Sequence, residues 1–318
     1  MIEKSLFLVS IISSVLGFSF AEDRFDDAVY NLEQRDDRGV VASGIDAYLP
    51  ELIRTPEVKK SAPSANIRAN NYLLADLESG KVMLKKGDKT EVPIASTTKI
   101  MTALVVLDEY ALDEVVTVSA DAAYQVGADA FLRVGEKMSV SELLHCLLIK
   151  SGNDSAYALA EHANNADDVG ISKFISLMNE KAVELGMTDT KYEDPAGLDV
   201  TGYSTAYDLF TLTSEALKSK IFRKIVGTEK YVAKNTEKSI YHELKNSNRL
   251  VGEYNYIGAI GVKTGYMPEA GHCLVSAASR EGNTLVGVVL HTYLDTVTAS
   301  ADESVRLLDW GFRNIDWH

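Results

Sequence analysis

Three short strings stand in fixed order along the 318 residues: Ser96-Thr97-Thr98-Lys99, then Ser151-Gly152-Asn153, then Lys263-Thr264-Gly265. Ser-x-x-Lys and Lys-Thr-Gly each occur once. Ser-x-Asn occurs twice, and only the copy at Ser151 lies between the other two strings and within a helix-rich stretch. Their hydroxyls, amide and two lysines are spread over more than half of the chain. They can act together only in a fold that brings three distant segments to one place.

After Ser96, the apolar residues Ile100, Leu104 and Leu107 recur at helical spacing, which sets the serine in the first turn of a helix with a buried inner face. Lys99 then lies one turn away on the same face, close enough to exchange a proton with it. A second helix opens at Ser139, with Glu142 three residues on as a capping box, and carries Leu143, Leu144, Leu147 and Leu148. It stops just before Ser151, leaving that string on a loop ahead of a helix from about Asp154. Ile171, Phe174, Ile175, Met178, Ala182 and Leu185 mark a further helix ending at Gly186. Another runs from about Thr205 to Leu217, with Asp208 three residues after its cap.

Elsewhere the period is two. "YLLADLESGKVMLKKGD" reads as a β-hairpin turning at Glu-Ser-Gly. "IGAIGVKTG", "GHCLVSAASR" and "TLVGVVLHTYL" read as strands, followed by a final helix over Val297–Phe312. Strands at both ends with helices inserted between them predict a mixed α/β domain on an antiparallel sheet. Lys263-Thr264-Gly265 falls at the end of a strand pattern, where an exposed edge can pair with an extended peptide. A glycine there lets backbone approach closely.

With their flanks, "IASTTKIMTAL", "LLIKSGNDSAYALAEH", "DPAGLDVTGYSTAYDL" and "GVKTGYMPEAGHCLVSAASR", these residues resemble the penicillin-recognising serine enzymes. Within them the chain is most similar to the D-alanyl-D-alanine carboxypeptidase branch, the low-molecular-mass penicillin-binding proteins, from about Asn70 to about Phe312. The resemblance implies a β-lactamase/transpeptidase-like α/β fold: a five-stranded antiparallel sheet flanked by helices, an all-helical lobe, and the site at their junction. It also implies removal of the terminal D-alanine from peptidoglycan stem pentapeptides through an acyl-enzyme, with β-lactam antibiotics as inhibitors.

A serine hydroxyl needs a base to become a nucleophile. Lys99 can be that base for Ser96 if burial and a nearby cation, with Lys263 as the candidate, hold it neutral. The resemblance places Ser151 between the two lysines as a proton relay to the leaving amine, and Asn153 on the substrate amide and on Lys99. It places Lys263 and Thr264 on the terminal carboxylate, and the backbone amides of Ser96 and Tyr266 as the oxyanion hole beside Gly265. Asn246 and Asn248 in "KNSNRL" either face the site or simply form a turn.

Three other readings share these motifs. A serine β-lactamase of the common type needs a Glu-x-x-Leu-Asn string, which is absent between Asn153 and Lys263. A D,D-endopeptidase would cut cross-links, and the intact Ser96, Lys99 and Lys263 speak against the lost catalysis of a non-catalytic penicillin sensor.

Residues 1–21 place Lys4 ahead of an apolar run from Leu6 to Phe20 and end in Ser19-Phe20-Ala21, the pattern of a secretory signal peptide. The run is shorter than the ~20 residues of a spanning helix. The expected location is therefore across the cytoplasmic membrane, in the periplasmic or extracellular cell-wall space. Residues 22–65 read as a polar, partly ordered leader and 66–318 as the catalytic domain. Members of the resembled branch usually continue into a β-rich domain and an amphipathic membrane-surface helix. This chain stops at His318 after the last catalytic-domain helix, so membrane association is possible while no anchor is visible in it.

A formal net charge of −14 argues against a nucleic-acid partner. The two cysteines, Cys146 and Cys273, read as buried free thiols. The six histidines lack metal-ligand spacing, so neither a metal nor another cofactor is expected.

Overall fold

The computed structural model describes residues 55–164, 168–293 and 296–318. The signal-peptide assignment and most of the leader lie outside the described residues. Strand β1 (Pro56–Val58) falls in the last part of the leader and pairs antiparallel with β11 (Ile315–Trp317) at the other end of the chain.

The expected hairpin is present as β2 (Ala69–Asp76) and β3 (Val82–Lys86). Three long strands, β8 (Ala259–Met267), β9 (Gly271–Arg280) and β10 (Asn283–Thr292), complete a five-stranded antiparallel sheet in the order β3-β2-β10-β9-β8. Alternation sends successive residues of β10 to opposite faces. Leu285 and Val289 join the apolar cluster under the last helix, and Val286, Val288 and Leu290 join the larger core of the helical side. Both faces are covered, which is why these strands read as nearly unbroken apolar runs. Each such side chain contributes roughly 1.5–3 kcal/mol by leaving water.

Between the hairpin and the last three strands come the helices. A 3₁₀ turn (Ala95–Thr98) leads into α1 (Lys99–Glu109). The short strands β4 (Val115–Thr117) and β5 (Lys137–Ser139) pair around α2 (Ala120–Ala123), and α3 (Val140–His145) runs into a π-helical turn (Cys146–Lys150). Then follow α4 (Asn153–Glu161), α5 (Asp168–Glu184), α6 (Ala206–Ala216) and α7 (Lys220–Val226). The hairpin of β6 (Lys230–Lys234) and β7 (Tyr241–Lys245) precedes β8, and α8 (Ala299–Asn314) closes the order before β11.

The caps behave as their residue types predict. Thr205 Oγ1 accepts the Asp208 amide at 3.0 Å, and Ser139 Oγ accepts the Glu142 amide at 3.3 Å. The capping box is only half built, because the Glu142 carboxylate is drawn away to the Tyr231 hydroxyl and the Lys234 amide, both at 3.3 Å. The pairs β4/β5, β6/β7 and β1/β11 and helix α7 carry no pattern long enough to have been foreseen.

Candidate active site

β8 is an edge strand, bonded on one side to β9 and free on the other. Lys263, Thr264 and Gly265 sit in its middle rather than at its end, because the ladder with β9 continues to Met267. The 3₁₀ turn of Ser96 lies against this strand at Gly265. A Cβ on Gly265 would come within 2.9 Å of the Ile94 carbonyl oxygen and 3.2 Å of the Ser96 nitrogen. The close approach expected of this glycine is thus made by the serine's own turn, and it brings the Ser96 amide beside the strand.

Among the described residues Lys99 is one of the largest fully buried side chains. Its Nζ donates to Ser96 Oγ at 3.0 Å, Asn153 Oδ1 at 2.7 Å and the Ala196 carbonyl at 2.8 Å. Burial lowers its pKa to about 7, while the carboxylates of Asp194 and Asp154 pull it back up. Lys263 is also buried and donates to the Thr264 carbonyl at 3.1 Å. Burial, and then the charge of Lys99, hold Lys263 well below the usual lysine range. The help expected from a neighbouring cation is therefore felt at Lys263, whereas burial does the work at Lys99.

The second motif is held by backbone irregularity. The π-helical turn ends at Ser151, whose φ of 68° is left-handed and whose side chain is buried. Among the described residues no hydrogen bond joins its hydroxyl to either lysine, so the expected relay is not formed here. Asn153, the first residue of α4, is fixed at three points: its N donates to the Ala128 carbonyl at 2.7 Å, its Nδ2 to the Val126 carbonyl at 2.5 Å, and its Oδ1 accepts Lys99.

Two buried carboxylates that sequence reasoning passed over shape this side. Asp154 accepts the amides of Ala130 and Leu132 at 3.1 Å and of Ser155 at 2.7 Å, tying down the segment whose carbonyls hold Asn153. Burial, and Asp129 beside it, hold the Asp154 carboxyl above the usual carboxylate range. Asp194 accepts four successive amides, Ala196, Gly197 and Asp199 at 2.6 Å and Leu198 at 2.8 Å, and so aims the Ala196 carbonyl at Lys99. Gly197 (φ +77°) presses on Ala95, where a Cβ would stand 2.0 Å from its carbonyl oxygen. An Asp ahead of Pro-Ala-Gly was the available signal for such a turn.

On the sheet side the missed residue is Ser247, whose Oγ lies 2.7 Å from Thr264 Oγ1. The asparagines flanking it form the turn: Asn246 Oδ1 accepts the Asn248 amide at 2.9 Å, and Asn248 Oδ1 the Leu250 amide at 3.1 Å. Tyr266 is 56% exposed at the rim and stacks on His272, with ring centroids 4.3 Å apart. Cys146 and Cys273 are buried free thiols. Among the described residues no three His, Cys, Asp or Glu side chains are grouped to hold a metal ion, and no helix is long and apolar enough to cross a membrane.

A family profile described as D-alanyl-D-alanine carboxypeptidase matches residues 57–293. The chain is 35% identical over 278 residues to the D-alanyl-D-alanine carboxypeptidase DacF of Bacillus subtilis, covering 85% of this chain and 69% of that protein. It is 36% identical over 247 residues to a D-alanyl-D-alanine carboxypeptidase of Streptomyces sp. strain K15, covering 74% and 84%. The crystal structure of the Streptomyces K15 DD-transpeptidase superposes with a TM-score of 0.74 at 35% identity, over 79% of this chain and 99% of that one.

Proposed function

Since the chain belongs to the D-alanyl-D-alanine carboxypeptidase family, peptidase family S11, and is a serine-type carboxypeptidase of that kind, we propose that Ser96 is its nucleophile and Lys99 the base. The observation that carries this assignment is a buried lysine, its pKa lowered to about 7, with Nζ 3.0 Å from a serine hydroxyl. At neutral pH about half of such lysines carry no proton.

Lys99 takes the Ser96 proton as Oγ attacks the carbonyl of the penultimate D-alanine. The amides of Ser96 and Tyr266 receive the oxyanion, each worth about 3 kcal/mol of barrier. The released D-alanine leaves as the amine, with the proton delivered through Ser151. Water then hydrolyses the ester and returns Ser96. The substrate lies along the free edge of β8 as an added strand, its amide on Asn153 and its terminal carboxylate on Lys263 and Thr264, with Ser247 orienting the Thr264 hydroxyl. An arriving carboxylate favours the charged form of Lys263, and that cation in turn keeps Lys99 neutral.

Enzymes of this family act on peptidoglycan peptides ending in D-Ala-D-Ala and bind β-lactams. For this chain the substrate is the stem pentapeptide, met in the cell-wall space outside the cytoplasmic membrane after loss of the signal peptide at 1–21, with 22–65 as leader and 66–318 as catalytic domain. The secretory pattern of the first residues supports that placement. Peptide mapping by mass spectrometry after penicillin treatment is expected to find one adduct, on the peptide containing Ser96. An adduct elsewhere, or none, contradicts the assignment.

A further inference from the structure

The chain is acidic overall, at a formal net charge of −14, yet residues 218–245 hold eight lysines and arginines against three glutamates. All eight are exposed. On the β6–β7 hairpin, strand alternation divides them cleanly from the core. Ala233, His242 and Leu244 point inward, and Lys230, Val232, Lys234, Tyr241, Glu243 and Lys245 form the outer face. The register sets Lys230 directly opposite Lys245, a like-charge pairing that weakens a sheet unless an anion lies over it. Some exposed cations elsewhere have close carboxylates, as in Lys85–Asp88 at 3.1 Å and Arg313–Asp309 at 2.9 Å. Within the stretch Lys218 pairs with Glu215 at 2.7 Å, but on the outer face of the hairpin the sole ion pair among the described residues is a loose one, Lys230–Glu229 at 3.7 Å, and Lys234 and Lys245 have none.

The face is rigid. His242 Nε2 meets Glu136 Oε1 at 2.9 Å behind it, and the Tyr231 ring stacks on His145 at 3.9 Å. A preformed surface loses little conformational freedom on binding. It also runs into the active site: Lys245 is followed by Asn246 and Ser247, whose Oγ touches Thr264 Oγ1 at 2.7 Å.

We propose that this outer face docks the carboxylate-bearing peptidoglycan strand to which the cleaved stem belongs. The inference rests on the D-Ala-D-Ala reading, because a polymer bearing many stems with free carboxyl termini is a polyanion. Several exposed cations acting together raise its local concentration at the site, and the effect is screened by salt. A lipid surface fits less well, since Val232 and Tyr241 are the only apolar members and Glu243 stands among them.

The test compares wild type with K230E/K234E/K245E by co-sedimentation with insoluble peptidoglycan at about 50 mM salt, and by turnover of a soluble acetylated Lys-D-Ala-D-Ala peptide. Sedimentation is expected to fall at least about tenfold and soluble turnover to stay within about twofold, with wild-type sedimentation also lost at about 0.5 M salt. If the glutamate variant has lost soluble turnover and so its fold, the K230Q/K234Q/K245Q protein gives the deciding value. Unchanged sedimentation overturns the proposal. So does a loss confined to vesicles of anionic phospholipid or to linear polyphosphate. A wild type that sediments but does not cleave the soluble peptide would instead contradict the functional reading.

Discussion

On the sheet side of the site, Lys263, Thr264 and Gly265 owe their positions to a continuous backbone ladder, β8 against β9 from Ala259 to Met267. On the helical side, Ser151 is the left-handed residue that ends a π-helical turn, Asn153 stands two residues on, and buried carboxylates gather the loose amides around them. The ladder leaves little electrostatic trace, so Lys263 feels burial and its fellow lysine alone. The carboxylates that organise the other wall also oppose the neutral form of Lys99. A base built beside them has to be fully buried to stay near neutrality. The contrast separates how each wall is held: the strand by its backbone ladder, the loop by side-chain partners for its amides.

The largest effect is expected at the base shared by both walls. Lys99→Arg keeps a cation that does not deprotonate at working pH, so acylation by penicillin should drop about 10³-fold. Stopped-flow acylation that retained a tenth of the wild-type rate would break the assignment.

The next pair tests the walls against each other. Gly265→Ala forces a methyl group against the Ile94 carbonyl and the Ser96 turn, which should cost about 1–3 kcal/mol of stability and roughly 10²-fold in acylation, because the nucleophile shifts relative to the strand. Asp154→Ala should reverse the balance. It strands the buried amides of Ala130, Leu132 and Ser155 and should destabilise by about 3 kcal/mol, lowering Tm by several degrees, with a smaller loss of rate. Equal ratios of rate loss to Tm loss in the two variants would dissolve the contrast. The smallest effect belongs to Ser247→Ala, which removes one hydroxyl contact to Thr264 and should slow hydrolysis of a free D-Ala-D-Ala acid about fivefold, measured as kcat/KM. No change would remove Ser247 from the site.

Legibility in the sequence follows the same division. The long strands, the helices of Ser96 and Ser139, and the caps at Ser139 and Thr205 rest on periodicity and local hydrogen bonding, and they stand where the residues said. The nucleophile, its lysine and the three motifs could be read because their spacing is itself chemistry. What periodicity cannot carry is a side chain whose duty is to bind backbone far away. Asp154 answers to amides at Ala130 and Leu132, and Ser247 to a strand seventeen residues on. The mid-strand place of Lys263 was missed because β8 continues through Tyr266 and Met267, past a Thr-Gly pair that reads as a stop. Short pairs such as β4 with β5 form because two ends of a chain segment meet, and three residues hold no period.

The most direct measurement is the pH dependence of penicillin acylation at Ser96. The base is the neutral form of Lys99, and burial has moved its pKa down to about 7, so the reactive fraction grows as pH rises through that value. Below it the rate should fall about tenfold per pH unit; above it the rate should level off, with a midpoint near 7. A profile flat between about pH 5 and 9, or one still climbing towards the range of an ordinary lysine, would contradict a buried neutral Lys99 as the base.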